Sequence, residues 1–254
     1  MLRLRIGGQD SLSASLSTLP PAIAAVELVH GPGVASSRFT SCGANGTALC
    51  TRGGQKVRLT GQNFGRLTTA SETASGAVMV ECTTRGGGSG SSATVFVHSS
   101  CVVVAANFAI ECMTSPGFGG QLQWHVTVLG VTSEPFKSVV AYAAPSVLAL
   151  DGPLRTQGSV HTLRGKNFGT SYAAVVWLIL DGGQLLTPLS VSEGGGAESD
   201  DVITFLLPRG VGAAHTLAVV VGGQVSAPVV FAYDAPVVTA VGLLSISAAR
   251  CVRE

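Results

Sequence analysis

One five-residue segment occurs twice in this chain, and it carries its surroundings with it. Gly61-Gln-Asn-Phe-Gly65 returns as Gly165-Lys-Asn-Phe-Gly169. Asn tolerates a positive φ and Gly needs no side-chain room, so Asn-x-Gly suits a sharp turn. The intervening Phe64 or Phe168 is placed to fold back as a core plug. Upstream of each turn lies a proline-led apolar stretch, Pro21 to Val26 and Pro145 to Leu150. Proline at such a start keeps a strand from extending backwards. Downstream come a Pro/Gly turn, a valine-rich strand and an aromatic ending: Pro116 to Gly119 then Tyr142, and Pro208 to Gly212 then Tyr233. Pro236-Val-Val-Thr-Ala-Val241 opens the pattern a third time. Repetition on this scale means a modular unit used in tandem.

The period sets the unit size. Pro21 to Pro145 is 124 residues and Pro145 to Pro236 is 91, and an immunoglobulin-like sandwich needs about 100. The composition agrees: Gly is 33 of 254, charged residues are 11%, and no long Leu-, Glu- or Lys-rich stretch suggests a helix. The expected organisation is a strand and Ser-rich linker at 1–20, a first unit at 21–144, a second at 145–235, and the first strand of an incomplete further module at 236–254. The first unit carries an insertion at 27–53, because the way from Pro to the turn takes 40 residues there and 20 in the second unit. Leu2 to Ile6 alternates apolar and basic, as a half-exposed strand does. Val57 to Thr60 pairs in pattern with Val160 to Leu163, Ala77 to Val80 with Val175 to Leu180, and Trp124 to Val128 with Leu217 to Val221.

A net charge of +1 with scattered basic residues argues against nucleic acid. The densest basic run, Arg52, Lys56, Arg58 and Arg66, reads as a solvated strand face. The longest apolar run, Ala173 to Leu180, is too short to span a bilayer, so direct membrane insertion of this segment is not expected.

At these residues the chain resembles the IPT/TIG family of immunoglobulin-like domains. The second unit carries the pattern at Pro145, Gly165, Asn167, Phe168, Gly169, Pro208, Gly210, Gly212, Gly222, Gly223, Phe231 and Tyr233. The first carries it at Pro21, Gly61, Asn63, Phe64, Gly65, Pro116, Gly117, Gly119 and Tyr142, departing by its insertion and by lacking the late Gly-Gly. The resemblance implies an all-β protein: two tandem immunoglobulin-like β-sandwiches with extended strand-like termini. It implies no single job, since fold does not fix function; such modules serve in receptor ectodomains, adhesins, surface proteins, starch-acting enzymes and transcription factors.

The resemblance also implies a disulfide between Cys101 and Cys112, which sit where similar modules bridge two neighbouring strands. In the second unit the matching places fall near Leu186 and at Phe205, where an apolar contact replaces the bridge. Cys42 and Cys50 bracket a short loop of the insertion and are placed to close it; the alternative is that all six cysteines are free or buried thiols. Cys82 and Cys251 have no obvious partner. Oxidised cysteines fit a compartment outside the cytosol, as does the N-glycosylation sequon at Asn45.

No nucleophile–base pair, paired carboxylate or metal-ligand spacing stands out, so no enzyme, cofactor or metal is expected. The five His residues fall in or beside strands and read as structural. Glu193, Glu198, Asp200 and Asp201 read as a solvated acidic loop, and Trp124 and Trp177 as core. The expected function is a non-enzymatic extracellular or cell-surface structural or adhesive repeat protein. Its expected partners are other copies of itself or neighbouring modules of a longer chain, building end to end into a filament or surface layer. The alternative is a receptor or carbohydrate-binding ectodomain that recognises a ligand through its loops, with a glycan as partner. An exposed tryptophan favours the alternative; repeated end-to-end contacts favour the first.

Overall fold

The computed structural model describes residues 5–6, 9–10, 19–29, 42, 48–69, 80–86, 94–169, 176–194 and 200–241. Every regular element among them is a β-strand. A short hairpin comes first, β1 (Arg5–Ile6) against β2 (Gln9–Asp10), so the amino-terminal strand pairs locally within the stretch expected to be linker.

The first unit has two antiparallel sheets. One takes the order β3 (Ala22–Leu28), β4 (Lys56–Gln62), β8 (Ala109–Met113) and β7 (Ser99–Ala105). The other is ordered β10 (Val131–Thr132), β9 (Gln123–Val128), β5 (Val80–Gly86) and β6 (Thr94–Val97), with β11 (Phe136–Lys137) also on β9. The second unit repeats this strand for strand. Its first sheet is β12 (Ser146–Leu150), β13 (Ser159–Lys166), β17 (Asp201–Leu207) and β16 (Pro188–Ser192). Its second is β15 (Gln184–Leu186), β14 (Val176–Leu180), β18 (His215–Val221) and β19 (Gln224–Val225), with β20 (Val229–Phe231) also on β18. The bulges repeat too, between Ile23 and Ala25 in one unit and Val147 and Ala149 in the other.

The repeated motif explains how each sandwich closes. Asn63 and Asn167 sit at φ 61° and 63°, and Gly65 and Gly169 at 83° and 79°. The Asn63 amide donates to the Pro20 carbonyl at 3.0 Å, and Asn167 to Ala144 at 3.1 Å, tying each turn to the chain entering the unit. Phe64 and Phe168 are wholly buried. Gly61 and Gly165 are glycine because a Cβ there would overlap the Ala22 or Ser146 carbonyl and the plug ring itself. Tyr142 donates from its hydroxyl to Ser115 O, and Tyr233 to Pro208 O, each at 2.9 Å. A side chain at Gly117 or Gly210 would strike the corresponding tyrosine ring. A buried serine follows suit: Ser133 Oγ accepts the Val126 N–H at 3.1 Å, and Ser226 Oγ the Val219 N–H at 2.9 Å.

The insertion is only partly described. Leu49 is wholly buried and bridges in parallel to Tyr142, while Gln55 braces the entry to β4 through Thr114 Oγ1 at 2.9 Å. Residues 236–241 are exposed and carry no strand; residues 242–254 lie outside the described residues. Among the described residues no helix is long and apolar enough to cross a membrane.

Candidate functional site

Several residues that differ between the two units meet where one adjoins the other. Phe118, in the Pro116 to Gly119 turn, is buried and lies against the Gly222–Gly223 turn that joins β18 to β19. A Cβ on Gly222 would overlap the Phe118 ring, so the late Gly-Gly makes room for a phenyl group. Gln224 donates to the Tyr142 carbonyl at 3.0 Å. Arg52 pairs with Asp201 at 3.0 Å, across 149 residues of sequence. The Asp201 carboxylate is buried and also accepts the Phe168 N–H at 3.0 Å and the Gly194 N–H at 3.2 Å. One side chain thus holds the second unit's turn motif and fastens it to the first unit.

This corrects two expectations. Asp201 is not a solvated loop residue: its backbone opens β17, and its carboxylate is used up by two N–H groups and a guanidinium. In the basic run Arg52 departs from a solvated face by pairing with the buried Asp201, whereas Arg58 and Arg66 are exposed as that reading expects. Lys56 and Arg58 share Glu111 on β8, whose carboxyl is held below its usual range by them against the opposing cost of burial. Glu193 is half-buried and its carboxyl is raised, burial outweighing the pull of Arg52. Glu198 lies outside the described residues.

The outer face of the second unit differs from that of the first. On β14 the alternation Val176 in, Trp177 out, Leu178 in leaves Trp177 39% exposed, which corrects its expected place in the core. Its cross-strand partner is Val220, and Val225 follows on β19, 55% exposed. Trp124 is wholly buried, stacked on His98 at 4.9 Å.

The cysteine positions are these. Cys101 and Cys112, on β7 and β8, lie 2.06 Å apart through their sulfurs, and Cys42 and Cys50 lie 2.00 Å apart, both as disulfides. Cys82 on β5 is a free, wholly buried thiol. In the second unit the apolar pair matching Cys101 and Cys112 is Pro188 against Phe205, in register. Leu186 is on β15 of the other sheet, so that expectation missed by two residues, because the chain changes sheets between Leu186 and Pro188. Asn45 lies outside the described residues.

One open depression of about 340 Å³ is lined by Asp151, Arg155, Ser159, His161 and Thr162. Ser159 Oγ lies 2.7 Å from His161 Nε2, and His161 Nδ1 lies 3.2 Å from the Asp151 carbonyl. Nδ1 must therefore donate, leaving Nε2 to accept the Ser159 hydroxyl. A serine hydrolase needs a carboxylate on Nδ1 to stabilise the imidazolium. Here the Asp151 carboxylate is engaged instead by Thr162 at 2.8 Å and Arg164 at 2.9 Å. The Ser159–His161 pair therefore lacks the carboxylate partner of a charge relay. Sequence reading missed it, since Ser159 and His161 are simply alternate residues of one strand.

No protein-family model and no curated protein matches the chain. Solved structures do resemble it. SGBP-B, from a complex xyloglucan utilisation locus in Bacteroides uniformis, is 17% identical over 84% of this chain and 49% of its own, with a TM-score of 0.29. A surface glycan-binding protein from Prevotella bryantii is 14% identical over 86% and 43%, with a TM-score of 0.46. The Yersinia pseudotuberculosis adhesin InvE is 14% identical over 74% and 56%, with a TM-score of 0.35. The chain therefore spans roughly half the length of each, and no binding residue is carried over from any of them.

Proposed function

We propose that this chain is a non-enzymatic extracellular structural or adhesive protein whose sandwiches stack end to end, within the chain and between copies. The observation that carries this reading is the junction. The end of the first unit built from Phe118 and Tyr142 docks on the Gly222–Gly223 turn of the second. The same construction ends the second unit, where Val211 replaces Phe118 and is 76% exposed. The turn corresponding to Gly222–Gly223 in the first unit is Leu129–Gly130, and Leu129 is 73% exposed. The substitutions compensate in volume: Phe118 meets a residue with no side chain, and the smaller Val211 would meet a leucine. A contact between different surfaces that does not close on itself extends into a filament.

The polar fastening is not repeated. The positions corresponding to Arg52 and Asp201 are Gln157 and Phe108, and Phe108 is 64% exposed. The contact between copies is therefore apolar and weaker than the internal junction. Bridges at Cys42–Cys50 and Cys101–Cys112, a glycan at Asn45 and an extracellular or cell-surface location belong to the same reading. Sedimentation velocity over a range of concentrations tests it: the average mass should rise with concentration, and V211D should return the chain to a monomer.

A second reading has its own support. Exposed Trp177 offers an indole face for stacking on a sugar, which favours a glycan-binding ectodomain. Glycan-array binding that is lost in W177A, together with a monomer at every concentration, would select it.

A further inference from the structure

Three sulfurs meet inside the first sandwich. Cys101 and Cys112 come from neighbouring strands of one sheet, and Cys82 comes from β5 of the facing sheet. The three Sγ atoms all lie within 4.8 Å of one another. Cys82 and Cys112 are buried, whereas Cys101 is only partly so. Cys101 also lies 3.8 Å from the His98 carbonyl and 3.9 Å from that of Ser99. Neither carbonyl can be a partner to a disulfide sulfur, but both are acceptors within reach of a Cys101 S–H.

We propose that Cys82 is the third member of an exchangeable disulfide, able to move the bridge from within one sheet to between the two sheets and to release Cys101 as a thiol. The Cys82 thiol first gives its proton to solvent. Its thiolate attacks Cys112 Sγ; the Cys82–Cys112 bond forms as the Cys101–Cys112 bond breaks. The electron pair leaves on Cys101 Sγ, which takes a proton from solvent. No net oxidation or reduction occurs. Cys101 is the leaving sulfur because it lies at the edge of the core, where water and the two carbonyls receive it. Burial, assisted by Glu81, raises the Cys82 thiol far above its ordinary value, so the exchange is dormant in the closed sandwich and starts when the sheets part. The released thiol is the site at which the protein becomes open to covalent capture by a second thiol- or disulfide-bearing chain.

The test uses the full oxidised chain in a Cys251→Ser background, held in sub-denaturing urea, quenched with acid, then unfolded and labelled with N-ethylmaleimide. Cleavage after Phe96 and Phe108 puts Cys82, Cys101 and Cys112 on three peptides. At the start the label should fall on Cys82; with time it should move to Cys101 as a Cys82–Cys112 peptide pair appears. Label that stays on Cys82 while the Cys101–Cys112 pair persists overturns the proposal, and label on Cys112 overturns its direction. An equilibrium test is independent of opening rate. Cys101→Ser, refolded with oxidised glutathione, should form the Cys82–Cys112 bridge, and two unbridged cysteines at those positions in the folded variant would contradict the proposal.

Discussion

Lowering the pH should weaken the first sandwich through His98. Its ring is buried, stacked on Trp124, and Nδ1 accepts the Ser115 N–H at 3.2 Å. Burial pushes its pKa down to about 4. In the unfolded chain an imidazole titrates near 6.5. Between about pH 4 and 6.5 the unfolded state therefore binds a proton that the folded state refuses, and stability rises with pH across that window. The contribution is fully present above pH 6.5 and is lost as the pH falls towards 4. At about 1.4 kcal/mol per pH unit the loss by pH 4.5 is roughly 2.5 kcal/mol. The assay is urea unfolding at pH 7.5 and 4.5, followed by tryptophan fluorescence in a W177F background so that Trp124 reports the first unit alone. H98N keeps an acceptor for Ser115 and removes the titrating ring. Its stability should be lower at pH 7.5 but should change less with pH, by about the same 2.5 kcal/mol. Equal pH dependence in the two proteins, or an NMR titration of His98 near 6.5, would refute the reasoning.

Other outcomes follow from the same contacts. D201A strands the Phe168 and Gly194 N–H groups and removes the ion pair to Arg52, and by calorimetry should cost about 3 kcal/mol in the second unit; N107A removes one exposed 3.2 Å bond to the Gly65 N–H and puts alanine at a φ of 63°, and by the same calorimetry should cost less, about 1–2 kcal/mol. G117A drives a methyl into the Tyr142 ring, and should lose the near-UV circular dichroism of that tyrosine along with about 1–3 kcal/mol. W177A removes a half-exposed ring from an outer face, so it should shift unfolding far less than W124A, whose cost should be about 3–5 kcal/mol.

The parts of the fold that are local chemistry could be read from the sequence. The Asn-x-Gly turns, the buried Phe64 and Phe168 and the all-β tandem plan depend on a residue's own backbone preference, and those signals sit side by side in the chain. The junction could not be read in this way. Asp201 looked like one acid among four because its partner, Arg52, is 149 residues away. Trp177 was hidden by its context: Val-Trp-Leu-Ile-Leu is apolar throughout, so the two faces of β14 cannot be told apart by polarity. The counterpart of Cys101 was misplaced because the chain passes from β15 to β16, and so between sheets, within two residues. The one available clue to the junction was the Gly222–Gly223 pair set against Leu129–Gly130, a difference in volume that acquires meaning only beside Phe118 and Val211.

Cross-linking between copies tests the end-to-end account most directly. In a Cys251→Ser background, one preparation carries V211C and another L129C, and the two are mixed under mild oxidation. Stacking of one molecule's second unit on the next molecule's first unit predicts a mixed disulfide dimer that forms faster than either preparation dimerises alone. A chain carrying both substitutions should give a ladder of higher species. Absence of the mixed dimer, or V211C and L129C each dimerising with itself just as fast, would contradict the account.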